Sequence, residues 1–255
     1  MKASFTTPGR DWRFDLGQPI DLSIPIDFRD TALRHFDAPA ATATPFATGG
    51  FTGSVASGAS CNCRTITLTP HCNGTHTECV GHLTLEPLDA WRVVPAAPVP
   101  AQVVGVAPVA CGDDRVVTRA ALAAAWPLQS AAPAPLALVL RTSTGADGHP
   151  GAEPPYLAID ALELIVARGI AHIVIDQPSL DRTHDGGRLA AHRVFFGLPA
   201  ASRRLAEAMR PQATVTEYAT VPARLPDGPC ALAWQVPAIS GDAVPSRPLA
   251  YRYET

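Results

Sequence analysis

The chain has 255 residues, 47% hydrophobic and 17% charged, with a formal net charge of −3. That length suits one large domain or two small ones, and the apolar content supports a sizeable core and excludes a disordered chain. The charges are spread without a basic run, so neither nucleic acid nor an anionic membrane is an expected partner.

The first sixteen residues carry Lys2, Arg10, Asp11, Arg13 and Asp15 and have no apolar stretch of the kind a secretory signal needs. No segment reaches the ~18 apolar residues of a membrane-spanning helix. The expectation is a soluble, cytoplasmic protein whose six cysteines are thiols or metal ligands rather than disulfides.

Residues 19–26 read as a short strand with prolines at its rims, and 38–58 as a turn-rich loop. Cys61 and Cys63 stand too close together for an ordinary zinc knuckle and read as structural. Residues 64–69 alternate polar and apolar, which predicts a strand with one buried face. Residues 103–109 form an apolar run, and the alanine-rich stretch 118–126 predicts a helix stopped by Pro127. Residues 136–142 read as a strand buried on both faces. Helical spacing at Ile159, Leu162, Ile165 and Val166 predicts a helix over 159–167, closed by Gly169. An apolar strand follows at 170–175, so strand, helix and strand suggest a right-handed crossover. A polar loop (177–188), a helix (200–209) and two late strands (215–221, 231–236) complete an α/β or α+β reading with a β-rich core.

One window concentrates candidate ligands: His71, Cys72, His76, Glu78, Cys79 and His82 surround Gly74. Side chains two apart in an extended segment face the same side, so His76 and Glu78 can meet at one point. A turn at Gly74 can bring Cys72 round to join them. Imidazole, carboxylate and thiolate together suit a catalytic zinc site with an open position. The plainer reading is a polar turn with buried cysteines.

These residues resemble the signature of the cyclase family of metal-dependent hydrolases, whose best-known members are bacterial kynurenine formamidase and isatin hydrolase. The family pattern is H-x-G-T-H-x-D-x-P-x-H. Gly74-Thr75-His76 and His82 match it in register, and similar stretches occur at 21–23, 138–142, 155–157, 176–181, 216–217, 226–228 and 246–248. The resemblance implies a single domain over 1–255 with a mixed-sheet core of the swivelling β/β/α type, residues 1–60 being partly an N-terminal arm. It implies metal ligation by Cys72, His76 and Glu78, a second half-site from His192 and Glu217, and proton transfer by His82. It implies one or two Zn²⁺ or Mn²⁺ ions and a homodimer or homotetramer. The substrate would be a small linear or cyclic amide, with Phe28 or Phe36 against an aryl ring.

Three departures stand out. The family's first histidine falls on Cys72, with His71 one residue out of register; its aspartate falls on Glu78, and the following proline on Val80. Either Cys72 ligates as thiolate, which favours Zn²⁺, or His71 takes its place. The changes also leave room for a non-catalytic metal protein on the same fold. A thiol enzyme using Cys72 or Cys79 is a further alternative. His184 reads as a solvated loop histidine, and Asp176 and Asp181 carry no assigned chemistry.

Overall fold

A computed structural model describes residues 1–29, 34–127, 133–142 and 153–254. Strands β1 (Lys2–Thr7) and β2 (Arg10–Asp15) pair as an antiparallel hairpin. Next come β3 (Ile20–Asp21), β4 (Thr42–Pro45), β5 (Ala47–Thr48), β6 (Phe51–Thr52), β7 (Arg64–Thr67), β8 (His76–Cys79) and β9 (Val99–Val106). They are followed by β10 (Val109–Cys111), β11 (Asp114–Val117), β12 (Ala137–Thr142), β13 (Tyr156–Leu157) and β14 (His172–Ile175). The last are β15 (Thr214–Glu217), β16 (Gly228–Gln235), β17 (Ala243–Pro245) and β18 (Arg247–Arg252). Among the described residues four α-helices interleave: α1 (Ala90–Val93), α2 (Arg119–Ala125), α3 (Ile159–Ala167) and α4 (Ala190–Phe196).

A nine-stranded mixed sheet forms the core, in the order β17-β8-β15-β14-β12-β9-β16-β18-β3. Its centre, β9-β12-β14-β15, is parallel, and the flanks are antiparallel. Strands β12 and β14 read as nearly continuous apolar runs because both faces are covered. Leu138, Leu140, Ile173, Ile175 and Val215 pack on one face with Leu162, Ile165, Phe195 and Phe196 of α3 and α4. Val103, Val139, Val174, Leu232 and Ala250 fill the opposite face. The α/β character expected from the sequence is therefore observed. Among the described helices, none is long and apolar enough to cross a membrane.

Several expected elements occur close to where the pattern placed them. Helix α2 is capped by Thr118, whose side chain accepts from the Ala121 amide at 3.2 Å. Helix α3 buries Ala161, Leu162 and Ile165, and Gly169 follows it with φ +80°, a conformation that costs glycine little. Truncating Ile165 to alanine would cost about 2–5 kcal/mol. Strands β12 and β14 pair in parallel across α3, as a crossover requires.

Other expectations need correction. Among the described residues strand β7 pairs with β4 alone, and all four of its residues are exposed. Its alternation reflects a two-stranded ribbon standing off the body, with no buried face. Residues 38–58 are not simply a loop, since β4, β5 and β6 lie there. Cys61 and Cys63 are exposed thiols, and the Cys63 backbone bonds to Phe46 and Gly53.

The helix expected over 200–209 is reduced to the 3₁₀ turn Leu205–Glu207. Its backbone bonds outward instead: the Pro199 and Ser202 carbonyls accept from Arg193, and the Arg203 carbonyl accepts from the Leu85 amide. The real helix is α4, in front of it. Leu189 enters α4 in the left-handed conformation (φ +47°), and Asp181 accepts the Ala191 and His192 amides at 2.8 and 3.1 Å. A distant carboxylate thus satisfies the free amides of this short helix, which no local capping pattern announces.

Candidate metal centre

Strand β8 presents His76 and Glu78 on one side, by the two-residue period of a strand. It lies between β15 and β17, so both of its edges are paired. The register sets Glu217 directly opposite His76. Helix α4 brings His192 to the same point. His192 Nε2 lies 3.0 Å from Glu78 Oε1 and 3.3 Å from Glu217 Oε1, and His76 Nε2 lies 3.4 Å from Glu217 Oε2. His76, Glu78, His192 and Glu217 are all buried.

The second oxygen of Glu78 faces another group. His71 Nε2 is 3.4 Å and His82 Nε2 4.0 Å from Oε2. Asp242 Oδ2 lies 3.1 Å from both His71 Nε2 and His82 Nδ1. His71 and His82 are part-exposed, so this half opens to solvent. Two candidate ligand sets result: His76, Glu78 and Glu217, and His71, Glu78 and His82, with Glu78 common to both.

Local structure explains why β8 can carry this load. A Cβ on Gly74 would stand 2.9 Å from Ile26 and 3.2 Å from the Ile24 carbonyl, so only glycine lets that segment pass. Thr75 Oγ1 accepts the Ile24 amide at 2.7 Å and donates to the Tyr218 carbonyl, tying three segments together. Tyr218 turns away with φ +56°, which ends β15 just after Glu217.

The electrostatics are those of a network with charges held out of water. Burial alone would raise the Glu78 carboxyl, but His82 and His192 outweigh it and hold it below the usual range. Glu217 is held well below that range, His192 and His76 outweighing burial. His192 is raised well above its ordinary value against the pull of burial, chiefly by the Glu78 charge. His76 is raised by Glu217, again against burial.

Close approach has not produced hydrogen bonds. The Nε2 atoms of His71, His76 and His192 and Oε1 of Glu78 are buried without a hydrogen-bond partner. Unpaired buried polar atoms are uncommon and call for an explanation. A divalent cation provides one. Ligand bonds of about 2.0–2.2 Å at near-tetrahedral or octahedral angles place neighbouring donors roughly 3.0–3.4 Å apart. The inner contacts of 3.0, 3.3 and 3.4 Å have that spacing. The residues present therefore fit a bound metal.

The structure brings together four of the five expected ligands and the expected proton carrier. Cys72 departs: it falls in neither ligand set among the described residues, and His71 occupies the place foreseen as its alternative. Burial, and then the Glu217 charge, push the Cys72 thiol up, which disfavours a thiolate. Burial pushes Cys79 to about 12, and its Sγ donates to the Leu88 carbonyl, so it is a poor nucleophile. Phe36 is 51% exposed and lies 4.0 Å ring to ring from His35, which faces Tyr218 at the rim of the site. Phe28 is 38% exposed and shows no ring contact with the site residues. His184 is solvated, with Glu153 3.6 Å away.

Two participants were not assigned from the sequence. Asp181 accepts from His192 Nδ1 at 2.6 Å, and neighbouring Arg182 pairs with Asp114. Asp242 is 160 residues from the histidine it meets, and nothing local marks it.

Comparison with known proteins follows the same line. The family model "Putative cyclase" matches residues 20–182, so the chain belongs to the cyclase family. Among solved structures, it is similar to a "potential metal-dependent hydrolase with cyclase activity" at 16% identity and TM-score 0.66, covering 93% of this chain and 99% of that one. Isatin hydrolase A from Labrenzia aggregata is similar at 16% identity and TM-score 0.65, with 93% and 94% coverage. Isatin hydrolase A from Ralstonia solanacearum is similar at 15% identity and TM-score 0.59, with 92% of each chain covered. No curated protein sequence matches.

Proposed function

We propose that this protein is a metal-dependent hydrolase that cleaves the C–N bond of a small cyclic or linear amide with activated water. One observation carries the reading: three histidine Nε2 atoms and one oxygen of Glu78, all buried and without a hydrogen-bond partner, gather around that carboxylate. Its likeness in fold to two isatin hydrolases suits an amide substrate.

His76, Glu78, His192 and Glu217 would hold the first ion, with His71 extending the set toward solvent as the donor in place of Cys72. Imidazole and carboxylate donors suit Zn²⁺ or Mn²⁺. Bound there, a divalent cation supplies Lewis acidity toward a carbonyl oxygen and makes water a nucleophile near neutral pH.

The chain's own residues do the rest. His76 Nδ1 donates to the Gly74 carbonyl at 3.0 Å and His192 Nδ1 to Asp181, so both Nε2 lone pairs face inward. His82, part-exposed at the mouth, accepts a proton at Nε2 and returns it to the leaving nitrogen. Phe36, with Phe28, would flank an aryl group entering from the rim.

Between residues 42 and 67 the side chains of Phe46, Phe51 and Ile66 are exposed, and we assign this segment to contact with a second copy in a homodimer or homotetramer. Light scattering on the purified protein checks that assignment.

Isatin serves as the probe amide. The protein loaded with Zn²⁺ or Mn²⁺ should hydrolyse it, lose turnover on chelation and regain it on metal return. A protein that takes up neither metal contradicts the reading.

A further inference from the structure

We propose that Asp242 is a positioning residue: its carboxylate takes the Nδ1 proton of His82 and so turns the Nε2 lone pair of that ring toward Glu78. The inference rests on the hydrolase reading and adds to it the group that prepares the proton carrier.

Three of the rings share one pattern. His76 Nδ1 meets the Gly74 carbonyl at 3.0 Å, and His192 Nδ1 meets Asp181 Oδ2 at 2.6 Å. His82 Nδ1 meets Asp242 Oδ2 at 3.1 Å. In each case an oxygen acceptor occupies Nδ1 and leaves Nε2 to face the centre. An acceptor at one ring nitrogen fixes which tautomer is present. Without Asp242, His82 alone of the three would have no such partner among the described contacts.

Asp242 is also built in, although its side chain is 40% exposed. Its carbonyl accepts the Cys79 amide at 3.0 Å, anchoring it to the end of β8. The preceding Gly241 donates to Asp89 at 3.0 Å, and its carbonyl accepts the Ala90 amide at 2.8 Å. The following residue, Ala243, is in register with Glu78 in the β8–β17 pairing. Gly81 lies against it: a Cβ there would stand 3.3 Å from the Asp242 Cβ and 2.7 Å from the Leu88 carbonyl. Two strands and a glycine therefore set where the carboxylate points.

The test compares Asp242→Ala with Asp242→Asn, whose amide oxygen can still accept from Nδ1. Nitrogen NMR of ¹⁵N-histidine-labelled, metal-free protein reads the His82 tautomer directly. The Nδ1–H form is expected in the wild type and in Asp242→Asn, and its loss in Asp242→Ala. With bound zinc per chain unchanged, kcat for isatin should fall roughly 10–100-fold in Asp242→Ala with KM within about twofold, and recover largely in Asp242→Asn. An unchanged tautomer in Asp242→Ala overturns the proposal. So does a loss of bound zinc, which would make Asp242 a ligand. Should wild-type protein fail to hydrolyse isatin, the hydrolase reading suffers, while the NMR comparison still decides the role of Asp242.

Discussion

The two faces of Glu78 differ in a way that organises the molecule. Oε1 looks into a sealed half formed by His76, His192 and Glu217; Oε2 looks toward His71, His82 and Asp242, where solvent reaches. In the sealed half, charge is balanced ring against carboxylate, and every partner sits on β8, β15 or α4. In the open half, the partners come from turns and loop ends. A buried charge is tolerable only with a partner, whereas a group that moves protons needs contact with water or substrate. The difference suggests holding on one side and reacting on the other.

The sharpest way to break this division is at its shared member. Glu78→Ala should abolish metal binding, reduce turnover by more than about 1000-fold, and destabilise the metal-free protein by up to about 3 kcal/mol, because the buried His192 imidazolium loses one carboxylate and keeps only Asp181 and Glu217. Metal analysis and urea unfolding read the two effects. A variant that keeps full metal content would remove Glu78 from the centre.

His82→Ala tests the open half. Turnover should fall about 10²–10⁴-fold while metal content stays that of the wild type. His76→Ala should do the reverse first, losing metal. If both variants lose metal equally, the two halves are not functionally distinct.

Acidity separates the halves further. In the metal-free protein, His76 and His192 sit above their ordinary 6.5, so the stability they contribute is full below 6.5 and is lost as pH rises through their raised values. Glu78 and Glu217 sit below their ordinary 4.5, so their contribution is full above 4.5 and is lost as pH falls. Buried His172, lowered to about 4, loses its own contribution as pH falls below 6.5, so urea midpoints should peak near pH 6.5 without metal. Metal binding displaces the imidazole protons, so added Zn²⁺ should shift the peak upward, and affinity should weaken about tenfold per pH unit for each proton released. A metal-free midpoint that rises steadily to pH 8 would contradict this.

The smallest effect is expected at Cys72. Cys72→Ser should leave metal stoichiometry unchanged and turnover within about twofold, whereas His71→Ala should weaken metal binding measurably. The opposite result would restore the thiolate ligand.

Much of this was legible in the amino-acid sequence. The unbroken apolar runs of β12 and β14 and the spacing of α3 announce a covered parallel sheet, because burial on both faces imposes those residues directly. His76 and Glu78 are legible for a similar reason: the strand period alone puts them on one side. Helix α4 is not, since Asp181 and not a local cap satisfies its first amides. Residues 200–209 have the composition of a helix, but their carbonyls bond to Arg193 and Leu85. Alternation in β7 resembles a buried strand because a free ribbon and a half-covered strand share one period. The choice of His71 over Cys72 depends on how the turn before β8 is threaded, and Asp242 meets the site only through sheet pairing.

Zinc-edge anomalous diffraction from crystals of the Zn²⁺-loaded protein would test the central claim most directly. The account places a peak within bonding distance of Glu78, ringed by His76, His192 and Glu217. Zinc absent from that position, or held only by the exposed cysteines at Cys61 and Cys63, would contradict it.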